Sequence, residues 1–558
     1  MKQKNNNKLF ELEEYESQLS FNNSKTGLNI SFNRVAFIFF IFFGISIIFS
    51  VKSIYLGSLK KNVINSFSND LNYRSSILDR NGNILAKTVF TTNVGLNPNL
   101  VIDKKRLLLN LRLIFQDKSI EEFETIEKKL NRKKFFYIKK KITQDQLNQV
   151  LLLGDKSIIL EEKISRIYPQ KNLFSHIIGQ IDDNNNGISG LEMSFNDQLK
   201  KNINPLKLTI DTDLQYLIRE ELIKSEEIFQ NIGSAAILMN INSGEVLSLI
   251  SLPDFNLNKR QTIKDLNYTN KVTKGVYELG SVFKTLTLAS AFQHKILEPN
   301  TMFEKLEKKI YCAGNPISEY DEKLPTDLSA EQILIRSSNI GSVRIAQKVG
   351  IDNYKSFLEK IGVIDKIQFD IDEVGQPLNF RWGKCKLATT SFGHGITTTP
   401  LQLAKAYSII SNGGYDIKPS LIKSEESKIR TQILNENVSK NINNILRKGV
   451  SSKEGTAHFA DVYGYDVGGK TGTADKVKNG IYTKDKINTF VSVFPISNPK
   501  FVLLVLLDEP KPSKEYIYHY RDERTPYKGN WRNTAGWTTV LIVGNIIEKI
   551  GPILATKY

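Results

Sequence analysis

Between Val35 and Val51 the chain runs for 17 residues without a charge, VAFIFFIFFGISIIFSV, and nothing later in its 558 residues is comparable. A helix that crosses a bilayer needs about 20 apolar residues, so this stretch sits at the short end of a spanning segment. It lies too far from the start, behind too long and polar a flank, to be an ordinary cleaved signal peptide. Residues 540–554 are apolar in part but carry Asn545, Glu548 and Lys549, which predicts a packed helix instead. The expectation is a single-pass anchor at 35–51, preceded by a disordered Asn-rich tail at 1–34 and succeeded by a large folded region. Lys25 and Arg34 stand close before the anchor and Lys52, Lys60 and Lys61 after it, so loop charge does not orient it.

The chain beyond the anchor is too long for one ordinary core and predicts two folded domains, 52–205 and 206–558. The charge balance is basic, +17 from 76 Lys and Arg against 59 Asp and Glu. Such a balance can serve nucleic acid, an anionic membrane or an anionic polymer, and a general bias toward Asn, Lys and Ile also accounts for it. Eight basic residues between Lys128 and Lys141 surround Phe135, Phe136 and Tyr137. That mixture can bind nucleic acid, yet a solvated face is the better expectation, so no nucleic-acid partner is assigned. The stretch 511–532 has the same composition and is expected to be a surface loop, with a partner site as the second reading. Cys312 and Cys385 allow at most one disulfide, and an unpaired structural role is the default expectation. The five histidines are scattered, and no metal site is predicted.

Before residue 206, Asn81-Gly82 between SSILDR and NILAKTVF signals a hairpin. Beyond it, GSAAILMNINSGEVLSLISL predicts two strands with a turn at Asn242-Ser243-Gly244. TFVSVFPI and FVLLVLLDEP predict two more near the end. The domain is therefore read as an antiparallel sheet assembled from both of its ends, with helices between, including KTLTLASAFQ and PLQLAKAYSII.

Three short motifs stand in order: Ser281-Val-Phe-Lys284, Ser337-Ser-Asn339 and Lys470-Thr-Gly472. Each alone is weak, since Ser-x-x-Lys also occurs at Ser58–Lys61 and Ser497–Lys500. A helix beginning near Ser281 would put Lys284 one turn on, on the same face. Serine needs a base to act as a nucleophile, and a lysine amine serves if burial and neighbouring positive charge lower its pKa. The helix start also offers backbone N–H groups to a developing oxyanion. Ser337 and Asn339 supply a hydroxyl and an amide, able to relay a proton and hold a substrate amide. Gly472 in a strand lets another backbone approach closely, and Lys470 supplies positive charge for a carboxylate. The bland readings are a helix cap with an exposed lysine, a loop cap and a glycine-rich turn.

Gly464 to Thr471 also matches G-x-x-x-x-G-K-[ST] literally. A phosphate-binding loop requires a helix directly after it, and a polar stretch running to Asn479-Gly480 stands there instead, so nucleotide binding is rejected.

Together the motifs resemble the penicillin-binding protein and serine β-lactamase group. GVYELGSVFK, RSSNIGSVRIA, SFGHGITTTPLQLAKAY, YDVGGKTGTADK and NTAGW at 533–537 look like blocks of division-specific class B proteins of the FtsI type. Upstream, DRNGNILA, RIYP, HIIGQ, GISGLE and LTIDTDLQ are similar to the pedestal of that family, and the resemblance spans about residues 70–550. Ser75 after Arg74 replaces a usual Gly, and the tail and residues 511–530 match less well.

The resemblance implies an α+β fold. It has one transmembrane helix, a β-rich pedestal of the dimerisation type, and a transpeptidase domain with a five-stranded, mainly antiparallel sheet flanked by helices. It implies an N-terminus in the cytoplasm and folded domains in the periplasm, on the inner membrane. It implies a D,D-transpeptidase without metal or organic cofactor. Ser281 would attack a stem-peptide D-Ala carbonyl, Lys284 would take its proton, Ser337 would relay a proton, and Asn339 would hold the substrate amide. Lys470 and Thr471 would bind the terminal carboxylate beside Gly472, and the backbone N–H groups of Ser281 and Thr473 would form the oxyanion hole. Implied partners are peptidoglycan stem peptides, β-lactams, a SEDS-family glycosyltransferase and other division-complex membrane proteins. An elongation-type transpeptidase, or a non-catalytic β-lactam sensor or division scaffold, are the alternatives. A β-lactamase is disfavoured by the anchor and pedestal, and a bifunctional synthase by the absence of room for a second catalytic domain.

Overall fold

The computed structural model describes residues 36–55, 73–201, 204–259, 268–424, 430–478, 480–513, 515–519 and 532–558. The chain separates into two compact units, Met1–Tyr73 and Arg74–Tyr558. In the first, the apolar run forms the helix Ala36–Tyr55, 20 residues with none of its apolar window buried. At 1.5 Å per residue it is about 30 Å long, enough to span a bilayer core. It continues past the expected end at Val51 because Lys52 and Ser53 do not interrupt a helix; the tail 1–34 and Val35 lie outside the described residues.

The second unit begins with a five-stranded sheet in which the long strand Ile84–Leu96 pairs with Ile77–Leu78, Phe136–Ile142 and Ile158–Ile167. Asn81-Gly82 makes the predicted turn, with Gly82 at φ +90° and Asp79 accepting the N–H groups of Asn81 and Asn83. Leu206–Lys207, where the sequence texture changes, is itself a strand of this sheet, parallel to Ile77–Leu78. The helices Lys104–Ile114, Ile120–Leu130 and Gln144–Leu153 turn one apolar stripe inward, and Leu107, Leu111, Phe123, Ile126 and Val150 pack with Val94 and Leu96. Ser119 and Thr143 start two of these helices with reciprocal capping boxes. Most of the basic side chains between Lys128 and Lys141 face solvent, as a solvated face requires. Below them a buried ionic cluster joins distant segments: Glu192 bridges Arg74 and Arg166, the latter at 2.8 Å, and accepts from the Tyr168 hydroxyl.

The five-stranded sheet of the larger portion is antiparallel throughout, in the order Gly468–Lys478, Ile481–Phe494, Phe501–Asp508, Gly233–Asn240, Val246–Leu252. Both ends of the domain contribute to it, as predicted. The uninterrupted run FVLLVLLD is apolar because both faces are covered. Leu503, Val505 and Leu507 pack against the helices Thr539–Lys557 and Thr212–Phe229. Val502, Leu504 and Leu506 face the helices Phe283–Gln293 and Pro400–Ser411. The terminal helix is two-thirds buried over its apolar window, the packed helix expected of 540–554.

The cysteines depart from expectation. Cys312 and Cys385 form a disulfide across 73 residues of sequence, with Cα atoms 5.5 Å apart. Spacing alone carried no sign of this, because the bond joins a hairpin to a helix that only the fold brings together.

Candidate active site

Gly280 stands at φ +65°, a left-handed conformation open to glycine, and opens a single 3₁₀ turn that runs into the helix Phe283–Gln293. All of Phe283–Phe292 is buried. The helix therefore drives its polar start into the protein, and Lys284 is only 2 % exposed. The Lys284 ammonium donates to Asn339 Oδ1 at 2.7 Å, to Ser337 Oγ at 3.1 Å and to the Ser337 carbonyl at 2.5 Å. Burial disfavours the charged amine and pushes its pKa down to about 7, against a smaller opposing pull from Glu319. The Ser281 hydroxyl borders a cavity and has no hydrogen-bond partner among the described residues.

Ser337 occupies the corner between the helices Ala330–Ile335 and Asn339–Val349 at φ +60°, a sparsely populated conformation for a residue with a Cβ. That corner turns its hydroxyl toward two amines at once. Ser338 caps the second helix through the Gly341 N–H at 2.9 Å. Ahead of it, Glu319 accepts from the backbone N–H groups of Asn339 at 2.7 Å and Ile340 at 3.0 Å.

The third motif lies on the edge strand Gly468–Lys478. Lys470, 3 % exposed, donates to Ser337 Oγ at 3.0 Å and to the Thr471 carbonyl at 3.0 Å. Burial, reinforced by the nearby Lys284 charge, lowers its pKa well below the ordinary lysine value. Glycine at 472 is required by close approach: a Cβ there would stand 2.2 Å from the Leu279 carbonyl. A Cβ on Gly280 would stand 2.7 Å from the Thr473 carbonyl. The two glycines let the Ser281 turn and the edge strand lie backbone to backbone. Thr471 Oγ1 shares a hydrogen bond with Thr456 Oγ1 at 2.8 Å, and Thr473 Oγ1 accepts from the Ala535 N–H at 3.0 Å, which ties NTAGW to the strand.

These elements enclose a cavity of about 790 Å³. Ser281, Ser337, Asn339, Thr471 and Thr473 border it, while Lys284, Lys470 and Gly472 stand behind its wall. Lys470 thus presents its amine to Ser337 rather than directly to the cavity. The decoy motif Ser497–Lys500 lies in the turn between Phe494 and Phe501, and Ser58–Lys61 lies outside the described residues. No helix comes after Thr471, because the strand continues to Lys478, and the phosphate-loop pattern is thereby excluded. Sequence reading missed Glu319, Thr456 and His394, the last two bordering the cavity. Glu319 and Thr456 carry no local signature, while His394 lies within the SFGHGITTTPLQLAKAY block without a role having been read for it; each reaches the site from a separate loop. The surface loop expected at 511–532 falls largely outside the described residues.

A family model for the penicillin-binding protein transpeptidase domain matches residues 234–525, and one for the penicillin-binding protein dimerisation domain matches residues 71–204. The chain is 29 % identical over 505 residues to the "Probable peptidoglycan D,D-transpeptidase FtsI" of Caulobacter vibrioides, covering 87 % of this chain and 82 % of that protein. It is 29 % identical over 530 residues to the "Peptidoglycan D,D-transpeptidase FtsI" of Buchnera aphidicola subsp. Schizaphis graminum, covering 86 % and 90 %. It is also 27 % identical over 538 residues to "Stage V sporulation protein D" of Bacillus subtilis, covering 87 % and 79 %.

Proposed function

The chain belongs to the penicillin-binding protein transpeptidase family, and from that premise we propose that it is a class B, FtsI-type enzyme that cross-links peptidoglycan through an acyl-enzyme at Ser281. The observation that carries this reading is the convergence of Lys284, Ser337, Asn339 and Lys470 around the cavity that Ser281 borders.

The Ser281 hydroxyl attacks the penultimate D-Ala carbonyl of a donor stem peptide and transfers its proton to the neutral Lys284 amine. The developing oxyanion lies between the backbone N–H groups of Ser281 and Thr473. The C–N bond to the terminal D-Ala breaks, and its nitrogen takes a proton by way of Ser337. An amine of a second stem peptide then attacks the ester, the cross-link forms, and Ser281 recovers its proton. Asn339 holds the substrate amide. Lys470 acts on the terminal carboxylate through its field and through the Thr471 hydroxyl beside it, with Gly472 and Thr473 keeping the strand edge open. β-Lactams acylate Ser281 as mimics of D-Ala-D-Ala.

The same reading assigns 1–34 to the cytoplasm, 35–51 to the inner membrane, 52–205 to a pedestal and 206–558 to the transpeptidase domain in the periplasm. The Cys312–Cys385 disulfide supports this orientation, since such bonds persist in oxidising compartments. Two relatives named FtsI favour work at the division septum, with a SEDS-family glycosyltransferase and other division-complex membrane proteins as partners. The elongation-type role is the second reading.

The test is fluorescent penicillin labelling of the full-length protein in detergent, tracked over time. A stable adduct, lost in Ser281→Ala, is expected. Rapid loss of the adduct indicates a β-lactamase, and a folded protein that never labels indicates a scaffold.

A further inference from the structure

The hairpin ahead of the second motif is held from several sides. Lys309–Cys312 and Asn315–Ser318 pair around a two-residue turn in which Ala313 and Gly314 both have positive φ, 47° and 80°. The Cys312–Cys385 disulfide fastens one strand to the helix Lys384–Thr390. Ile317 on the other strand packs on Val343 and Ala388. The residue that leaves this clamped hairpin is Glu319, and the Glu319 N–H returns to the Lys308 carbonyl at 3.1 Å.

Among the described residues, every hydrogen bond the Glu319 carboxylate accepts comes from the segment that bears the Ser-x-Asn motif. It takes the Ser338 hydroxyl at 2.5 Å and the N–H groups of Asn339 and Ile340 at 2.7 and 3.0 Å. A carboxylate on the open N–H groups of a helix start is favourable, and both of its oxygens are engaged. The neighbouring Ser318 carbonyl takes the Asn339 side-chain N–H at 2.8 Å. That leaves Asn339 Oδ1 facing Lys284, where it accepts at 2.7 Å. The hairpin end thus fixes both the backbone and the amide orientation of Asn339, and through Asn339 one of the partners of the Lys284 amine.

We propose that Glu319 is a positioning residue for acylation: with the Ser318 carbonyl it holds Asn339 in the orientation that engages Lys284, on a hairpin clamped by the disulfide. The proposal rests on the acyl-enzyme reading above. A helix cap with no catalytic consequence is the competing account, and charge separates the two. Lys284 is faced by Lys470 from the edge strand and by Glu319 from the hairpin. The Glu319 charge favours the Lys284 ammonium, so its removal makes the amine neutral at lower pH.

The experiment measures acylation rate against pH with fluorescent penicillin on the full-length protein in detergent, for wild type, Glu319→Gln, Glu319→Asp and Ser281→Ala, with thermal unfolding of each. Glu319→Gln is expected to slow saturated acylation by about 10²-fold, the scale of a misplacement near 1 Å. It is also expected to move the rising limb to lower pH while remaining folded. Glu319→Asp, which keeps the charge, is expected to return the limb toward wild type. An unchanged rate and limb in Glu319→Gln overturns the proposal. So does a loss of rate that tracks the folded fraction alone, with the limb unmoved. Labelling that persists in Ser281→Ala instead overturns the acyl-enzyme reading itself, whatever the Glu319 variants do.

Discussion

Lys284 and Lys470, both buried, donate to one hydroxyl, that of Ser337, at 3.1 and 3.0 Å. A hydroxyl has two acceptor lone pairs, so both amines fit only while Ser337 sends its own proton elsewhere. Burial lowers both pKa values, and the nearby Lys284 charge lowers that of Lys470 further. The pair makes Ser337 the meeting point of the helix that begins beside Ser281 and the edge strand Gly468–Lys478.

The acylation rate is expected to rise with pH through about 7, as Lys284 loses its proton, and to level off above. Lys284→Ala is expected to lower the plateau by ~10²–10⁴-fold and abolish that limb. Stopped-flow acylation across pH 5–9 measures both, and a limb near the ordinary lysine pKa would contradict the burial argument.

The same group makes stability pH-dependent. Its folded pKa lies below the unfolded value, so between about 7 and the ordinary lysine value the unfolded chain binds more protons than the folded one. Stability therefore rises with pH in that window, by up to about 1.4 kcal/mol per pH unit from this group. Lys284→Met removes this group's share of the slope and leaves that of Lys470, which denaturant titrations at pH 7, 8 and 9 measure.

Gly472→Ala is expected to impair acylation by about 10²-fold, because the obstructing atom is the Leu279 backbone carbonyl and can move only by shifting the turn that carries Ser281. Gly82→Ala is a useful contrast: its Cβ meets nothing within 4 Å, so only the positive φ is strained and labelling should persist. Labelling kinetics of the two variants side by side separate close approach from conformational strain.

Reduction of Cys312–Cys385, or the double Ser variant, is expected to lower stability by about 2–4 kcal/mol and slow acylation, since the hairpin that leads to Glu319 loses its tether. Thermal unfolding and labelling with and without reductant measure this; equal acylation in both states would detach the hairpin from the site.

Glu192→Ala strands Arg74 and Arg166 in a buried position and is expected to destabilise the protein by about 3–5 kcal/mol, without changing the acylation limb of the remaining folded protein. Chemical denaturation monitored by fluorescence tests the first part and labelling the second.

By itself the sequence determined the anchor, the strand pairs on either side of Asn242-Ser243-Gly244 and Ser497–Lys500, and the identity of the three motifs, because each rests on neighbours within a few residues. Local periodicity and turn chemistry act over that range, and so they survive in a linear reading. The tertiary structure decided what those motifs do to one another. Lys284 and Lys470 stand 186 positions apart, yet share Ser337; Glu319 holds Asn339 from a hairpin with no motif of its own; Cys312 finds Cys385 across 73 residues. Depressed pKa values come from desolvation, and desolvation exists only once the helix Phe283–Gln293 and the edge strand Gly468–Lys478 have buried Lys284 and Lys470 against each other's elements.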